Sequence, residues 1–378
     1  MANLSFQAGM IHEIRHHRSS RRCFVPRGWT ASGVMLLTLF LLAIGSARAQ
    51  FDVEVAHLGV CELERGEVIR DCRVGYRTAG QLNEDSSNVV LFPSWYGGTS
   101  GSLEGYVGPG GYADSTRYFV IAVDAFGAGA SSSPSNSTAQ SGTAFPRYTI
   151  GDMVHAQRRL LDEVFALERL HAVVGISMGG MQVFEWITTY PERVDKAVSI
   201  VGTPWMSSWD LMLWTHTIRL LERCRAAKCT DASARFGLLL NLFTRTPQYH
   251  ERETTREAFD EMLAEVDDVD PSFEIDDRLS QTWAMRTHDV RDAFDGSMDG
   301  AASAVQAELL VVVATYDHLV APDASREFAR LVDGEIFETT NHCGHVSFNC
   351  ERDRIAQVVD SFLARPVRDI RPVVEDAE

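Results

Sequence analysis

The sequence predicts an α/β fold, with a mostly parallel, doubly wound central sheet, helices on both faces and a helical lid insertion. Three observations carry this. Five short apolar runs, at 89–92, 118–123, 172–174, 197–201 and 309–313, are continuous and not alternating, the pattern of strands buried on both faces. Stretches with helical spacing separate them, as where Met153, Ala156, Leu160, Leu161, Val164 and Phe165 follow Thr149. Between 204 and 304 the alternation stops, and only helical patterns remain, at 211–221, 236–243, 256–266 and 279–287. With 378 residues, 45% of them hydrophobic, the chain is long enough for one large domain carrying such an insertion.

The first 49 residues read as a signal peptide. Arg15, Arg18, Arg21, Arg22 and Arg27 precede an apolar run at 34–44, and Ala47-Arg48-Ala49 offers a cleavage site between small residues. The run is shorter than the roughly 20 residues a spanning helix needs. Export is therefore expected over a retained anchor, to the periplasm or the medium. The core then covers 50–203 and 305–378, and the lid 204–304.

Cysteine usage agrees with an oxidising destination. Six cysteines follow the leader as three close pairs: Cys61 with Cys72, Cys224 with Cys229, and Cys343 with Cys350. Local pairing is the simplest of fifteen connectivities. None has histidines at metal-ligand spacing, so no metal is expected. Without its first 49 residues the chain has 29 Lys and Arg against 51 Asp and Glu, a net charge of −22. Such a surface repels phosphate backbones and anionic headgroups, so neither nucleic acid nor a membrane is an expected partner.

In chain order, 52–78 alternates apolar and polar residues about Glu64-Arg65-Gly66-Glu67, the mark of a hairpin, with Cys61 and Cys72 on its arms. Thr149 reads as a helix N-cap with Asp152 in the first turn. Gly175-Ile176-Ser177-Met178-Gly179 then stands between an apolar strand and a helical run, the context of a nucleophile elbow. Small residues at 175 and 179 allow the tight turn that exposes a serine to a base. The acidic run at 265–270 lacks the glycine and terminal glutamate of a calcium loop, and reads as a solvated loop.

After the insertion, the strand at 309–313 delivers Asp317. A helix at 323–331 and a strand at 335–340 lead to Asn341-His342-Cys343-Gly344-His345. The order serine, aspartate, histidine is that of α/β-hydrolases. Ser177 is the expected nucleophile, His345 the base that activates it and Asp317 the group that orients the imidazole. His342 rivals His345; the latter is preferred because Gly344 permits a tight loop before it. His318 is assigned to the lid junction or the surface. Met178 N–H, directly after the nucleophile, and Tyr96 N–H, in Pro93-Ser94-Trp95-Tyr96-Gly97-Gly98, are the expected oxyanion donors.

The run from Gly175 to Gln182, with Glu185-Trp186 and Tyr190-Pro191-Glu192-Arg193-Val194, resembles the nucleophile region of the homoserine O-acetyltransferase family. Val107-Gly108-Pro109-Gly110, 114–120 and 149–157 resemble other segments of it, and the similarity covers about 53–363 with the lid matching poorly. The resemblance implies an α/β-hydrolase fold, an acyl-serine formed from acetyl-CoA, the triad Ser177, Asp317 and His345, and a possible homodimer through the lid. Two positions depart from the family. Ser94-Trp95-Tyr96-Gly97 replaces an apolar loop containing a histidine, and Val346 stands where an aspartate is usual. With export, these shift the expectation to an esterase acting on a small-molecule acyl ester without a cofactor. Acyl transfer, with acetyl-CoA as co-substrate, is the alternative, and a non-catalytic binding protein a third reading.

Overall fold

A computed structural model describes residues 51–267 and 274–367. The expected leader, Cys23 and the end of the acidic run lie outside the described residues.

The sheet has eight strands: β1 (Glu54–Glu62), β2 (Val68–Ala79), β3 (Val89–Pro93), β4 (Phe119–Val123), β5 (Leu170–Ile176), β6 (Val194–Ile200), β7 (Glu308–Ala314) and β8 (Glu335–Thr339), in the spatial order β1-β2-β4-β3-β5-β6-β7-β8. The first two strands join antiparallel to each other and to β4; all other pairs are parallel. Every residue of β3 and β7 is buried, so both faces of the sheet are covered, as their unbroken apolar runs require.

The covering helices begin with α1 (Ile150–Leu160) and α2 (Met178–Thr189). Thr149 caps α1 as expected: its hydroxyl accepts from Asp152 N–H and Asp152 accepts from Thr149 N–H. The insertion supplies α3 (Ser208–Ala227), α4 (Ala232–Thr244), α5 (Pro247–Glu253), α6 (Phe259–Asp267), α7 (Ile275–Arg286) and α8 (Met298–Ala304). Of these, α5 and α8 are too short to show a helical period and have no counterpart in the expected patterns. The chain then returns to the sheet through α9 (Asp323–Leu331), α10 (Ser347–Cys350) and α11 (Arg352–Ala364). No described helix is long and apolar enough to cross a membrane.

Two of the three expected disulfides are present, Cys61–Cys72 across the hairpin and Cys343–Cys350. The third is corrected: Cys224 and Cys229 are free thiols. Lys228 adopts a left-handed conformation at the end of α3, and Cys229 N–H turns back to cap Cys224 C=O.

A polar cluster that runs from the surface inward joins the hairpin to α1 and α2. Glu64, in the hairpin turn, accepts from Thr149 Oγ1 at 2.5 Å and lies 3.4 Å from His155 Nε2, which holds its carboxyl below the usual range. Deeper, Glu185 of α2 is only 14% exposed and faces His288 Nδ1 at 3.6 Å. Burial, reinforced by the Glu64 charge, pushes Glu185 up to about 7, and burial drives His288 down to about 4. His288 Nε2 lies 3.0 Å from Thr203 C=O and must donate there, so the neutral ring turns a lone pair to Glu185 and favours its protonated form. A carboxyl whose folded pKa is raised above its unfolded value binds extra proton in the fold between about pH 4.5 and 7, so stability falls as pH rises through that window. Glu185→Gln, which keeps a donor for His288, is expected to remove this loss. In urea unfolding the variant should gain on the wild type by up to about 3 kcal/mol between pH 5 and pH 8, at about 1.4 kcal/mol per pKa unit. A difference independent of pH would refute this account.

Candidate active site

The elbow is built by close backbone approach. Ser177 follows β5 with φ 56° and ψ −119°, a conformation costing a non-glycine residue about 1–3 kcal/mol. Ser177 N–H donates to Ile200 C=O at 2.8 Å, and Ser177 C=O accepts from Met181 N–H at 3.0 Å, which fixes the turn from both sides. A Cβ at Gly175 would stand 2.1 Å from Gly179 O, and one at Gly179 would stand 2.5 Å from Pro93 O. The flanking glycines are thus required by the turn itself and by its contact with the end of β3.

His345 arrives on a constrained loop. Gly344 has φ 64°, and a Cβ there would lie 3.0 Å from Thr244 O, so the loop runs against α4. Cys343–Cys350 closes it on both sides of the histidine, and Asn341 Oδ1 accepts Cys343 N–H at 2.8 Å. His345 Nε2 lies 2.9 Å from Ser177 Oγ, and Nδ1 lies 2.7 Å from Asp317 Oδ2. Asp317 Oδ1 accepts from Leu319 and Val320 N–H at 2.9 and 3.0 Å. All three side chains are buried. An ionised Asp317 can only accept, so Nδ1 carries the proton and Nε2 offers its lone pair to the serine hydroxyl. That is the tautomer a general base needs.

The rival His342 is elsewhere: its ring stacks on Tyr316 with centroids 5.8 Å apart. His318 is exposed, and its carbonyl takes the Trp209 indole N–H at 2.7 Å, at the lid junction.

Met178 N–H and Tyr96 N–H, the expected oxyanion donors, have no acceptor among the described residues. Met178 is the first residue of α2, whose N-terminal amides have no partner within the helix and favour negative charge. The Tyr96 side chain turns into the insertion. Its ring packs on Trp214 and Phe236, and its hydroxyl lies 2.9 Å from Thr282 Oγ1 and donates to Arg278 C=O at 3.2 Å. Burial pushes this phenol up to about 12, so it stays neutral.

Several side chains that sequence reasoning gave no role support these groups. Asp210, in the first turn of α3, accepts Ala321 N–H at 3.0 Å and so ties the insertion to the loop after Asp317. Ser207-x-x-Asp210 was the signal, since the two form a capping box. Gln182 donates to both Ser94 C=O and Met178 C=O at 3.1 Å. Gln281 of α7 accepts from Gly97 N–H at 2.8 Å. Nothing in the spacing of the glutamines distinguishes them from surface ones.

A family model described as the alpha/beta hydrolase fold matches residues 88–349. A Corynebacterium glutamicum protein named as a probable esterase is 32% identical over 333 residues, which cover 83% of this chain and 95% of that protein. An ethyl acetate hydrolase of Pseudomonas veronii is 29% identical, with 82% and 94% covered. A homoserine O-acetyltransferase of Methanosalsum zhilinae is 27% identical, with 80% and 70% covered. Among solved structures, an acetylester hydrolase from Corynebacterium glutamicum superposes with a TM-score of 0.77 at 28% identity, covering 83% of this chain and 96% of that one.

Proposed function

The chain belongs to the α/β-hydrolase family, as an enzyme with esterases and acyltransferases among its relatives, and from that premise we propose that it is an exported serine esterase acting on small acyl esters. The observation that carries the reading is the hydrogen-bonded chain from Asp317 through His345 to Ser177.

In this mechanism Ser177 Oγ attacks the ester carbonyl carbon while its proton passes to His345 Nε2. Met178 N–H and Tyr96 N–H hold the oxygen that becomes negative. The C–O bond of the ester breaks, the alcohol leaves with the proton from His345, and the acyl group remains on Ser177. Water then attacks the acyl carbon, gives its proton to His345, and the acid departs as Ser177 recovers the proton. Asp317 stabilises the imidazolium present in each half. No cofactor takes part.

Support for water as the acceptor comes from the named hydrolases among the relatives, one acting on ethyl acetate, together with the two disulfides, which are compatible with an oxidising compartment away from cytoplasmic acetyl-CoA. A panel of chromogenic esters of increasing acyl length, each with and without homoserine or another hydroxyl acceptor, tests the reading. Turnover is expected for acetyl and propionyl esters, with free acid as product. Acylated acceptor as the main product by mass would overturn hydrolysis in favour of transfer.

A further inference from the structure

We propose that Gln182 and Gln281 are positioning residues that set the oxyanion hole by gripping the loop around Tyr96 from opposite sides. The proposal rests on the serine-esterase reading above, with Met178 N–H and Tyr96 N–H as donors.

From the nucleophile side, the Gln182 carboxamide gives one N–H to Ser94 C=O and the other to Met178 C=O, both at 3.1 Å. One side chain therefore fastens the residue that bears the first donor to a residue two places before the second. Gln182 is itself held: its Oε1 accepts from Gln157 Nε2 at 2.6 Å, and Gln157 Oε1 accepts from the Trp186 indole N–H at 2.8 Å. Acceptors and donors alternate along this line, so each amide has one permitted orientation. Gln157, Gln182 and Trp186 are all buried, where an amide left without its partner costs more than in water.

From the lid side, Gln281 Oε1 accepts Gly97 N–H at 2.8 Å, and its Nε2 donates to Phe126 C=O at 2.9 Å. The next residue of α7, Thr282, meets the Tyr96 hydroxyl. Gln281 thus engages the amide directly after Tyr96, leaves Tyr96 N–H as the open donor, and ties the loop to the core strand end through Phe126. Gln182 holds the Ser94–Trp95 peptide unit and Gln281 the Tyr96–Gly97 unit, so the unit between them, which carries Tyr96 N–H, is bracketed by fully buried glutamines on two different elements. Polar groups in a site of this kind act by being oriented before the charge develops, so a shift of the loop affects the transition state far more than the bound ester.

The test uses Gln182→Met and Gln281→Leu, which keep volume and remove the hydrogen bonds, with Gln281→Glu as the conservative variant and Ser177→Ala as reference. Steady-state kcat and KM are measured on an acetyl ester, intact sites are counted by stoichiometric labelling with a fluorophosphonate, and affinity is measured for a trifluoromethyl ketone. Ser177 Oγ adds to the ketone carbonyl carbon as its proton passes to His345 Nε2, and the resulting alkoxide occupies the hole. The expected result is a fall of about 10- to 100-fold in kcat per labelled site, below the loss from deleting a donor outright, with KM within about twofold. Ketone affinity should fall by the same factor. Gln281→Glu, whose protonated carboxyl can accept from Gly97 N–H and donate to Phe126 C=O, should recover most of the loss relative to wild type measured at the same low pH. Wild-type kcat per site in both glutamine variants, with Ser177→Ala inactive, overturns the grip alone. So does a fall in kcat with unchanged ketone affinity, or failure of Gln281→Glu to recover activity. An active Ser177→Ala overturns the esterase mechanism and this proposal together.

Discussion

Replacing Ser177 by alanine is expected to lower kcat on an acetyl ester by about 10⁶-fold, and adding His345→Ala to it to cost almost nothing more. The two side chains act as one unit: the hydroxyl 2.9 Å from His345 Nε2 is a nucleophile only while that nitrogen takes its proton, and the imidazole has no other proton to move in the first step. With the serine gone, residual turnover comes from water attacking an ester held by the remaining hole, for which the histidine is poorly placed. The measurement is kcat for Ser177→Ala, His345→Ala and the double variant, each checked for folding by near-UV circular dichroism. Independent, multiplying losses would show that the two groups do not share a proton and would sink the mechanism. The strain at Ser177 adds a second expectation: alanine must adopt the same φ of 56°, so the variant gains little stability and the loss is one of chemistry alone.

The parts of the site that the sequence made legible are those whose reasons are local. Gly175 stands before Ser177 because a Cβ there would strike the Gly179 carbonyl four residues on, and a local clash leaves a local pattern; the clash that fixes Gly179 is with Pro93 O, far along the chain. Continuous apolar runs revealed β3 and β7 because burial on both faces admits no alternation. Gly344 marked the base loop through its left-handed φ of 64°, and separated His345 from His342, which stacks on Tyr316. The parts that stayed hidden depend on partners far along the chain. Gln281 meets Gly97 across 184 residues, and Asp210 meets Ala321 across 111. No spacing encodes such pairs. The thiols of Cys224 and Cys229 show the converse limit: five residues apart, they invite a bridge, yet a left-handed Lys228 decides how the chain leaves α3. The sequence patterns missed α5 and α8, seven residues each, where a 3.6-residue period has too little length to repeat.

Asp317→Asn separates orientation of the base from mere occupancy of its pocket, and is expected to lower kcat by about 10⁴-fold with KM nearly unchanged. The size follows from how the aspartate is held. Leu319 and Val320 both donate N–H groups to Oδ1, so an asparagine can satisfy them only by placing its carbonyl oxygen there. Its NH₂ group must then occupy the position of Oδ2 and point at His345 Nδ1, which can no longer donate and has to accept. The proton is forced onto Nε2, the nitrogen facing Ser177, and the ring presents a donor where the serine needs an acceptor. Shape, packing and hydrogen-bond count stay close to wild type, so the variant should unfold within about 1 kcal/mol of it while catalysis collapses. Steady-state kinetics beside urea unfolding reads both quantities on one preparation. Activity within tenfold of wild type would mean that the 319–320 amides do not dictate the asparagine's orientation, and the aspartate would then be a packing residue and not the keeper of the histidine's tautomer.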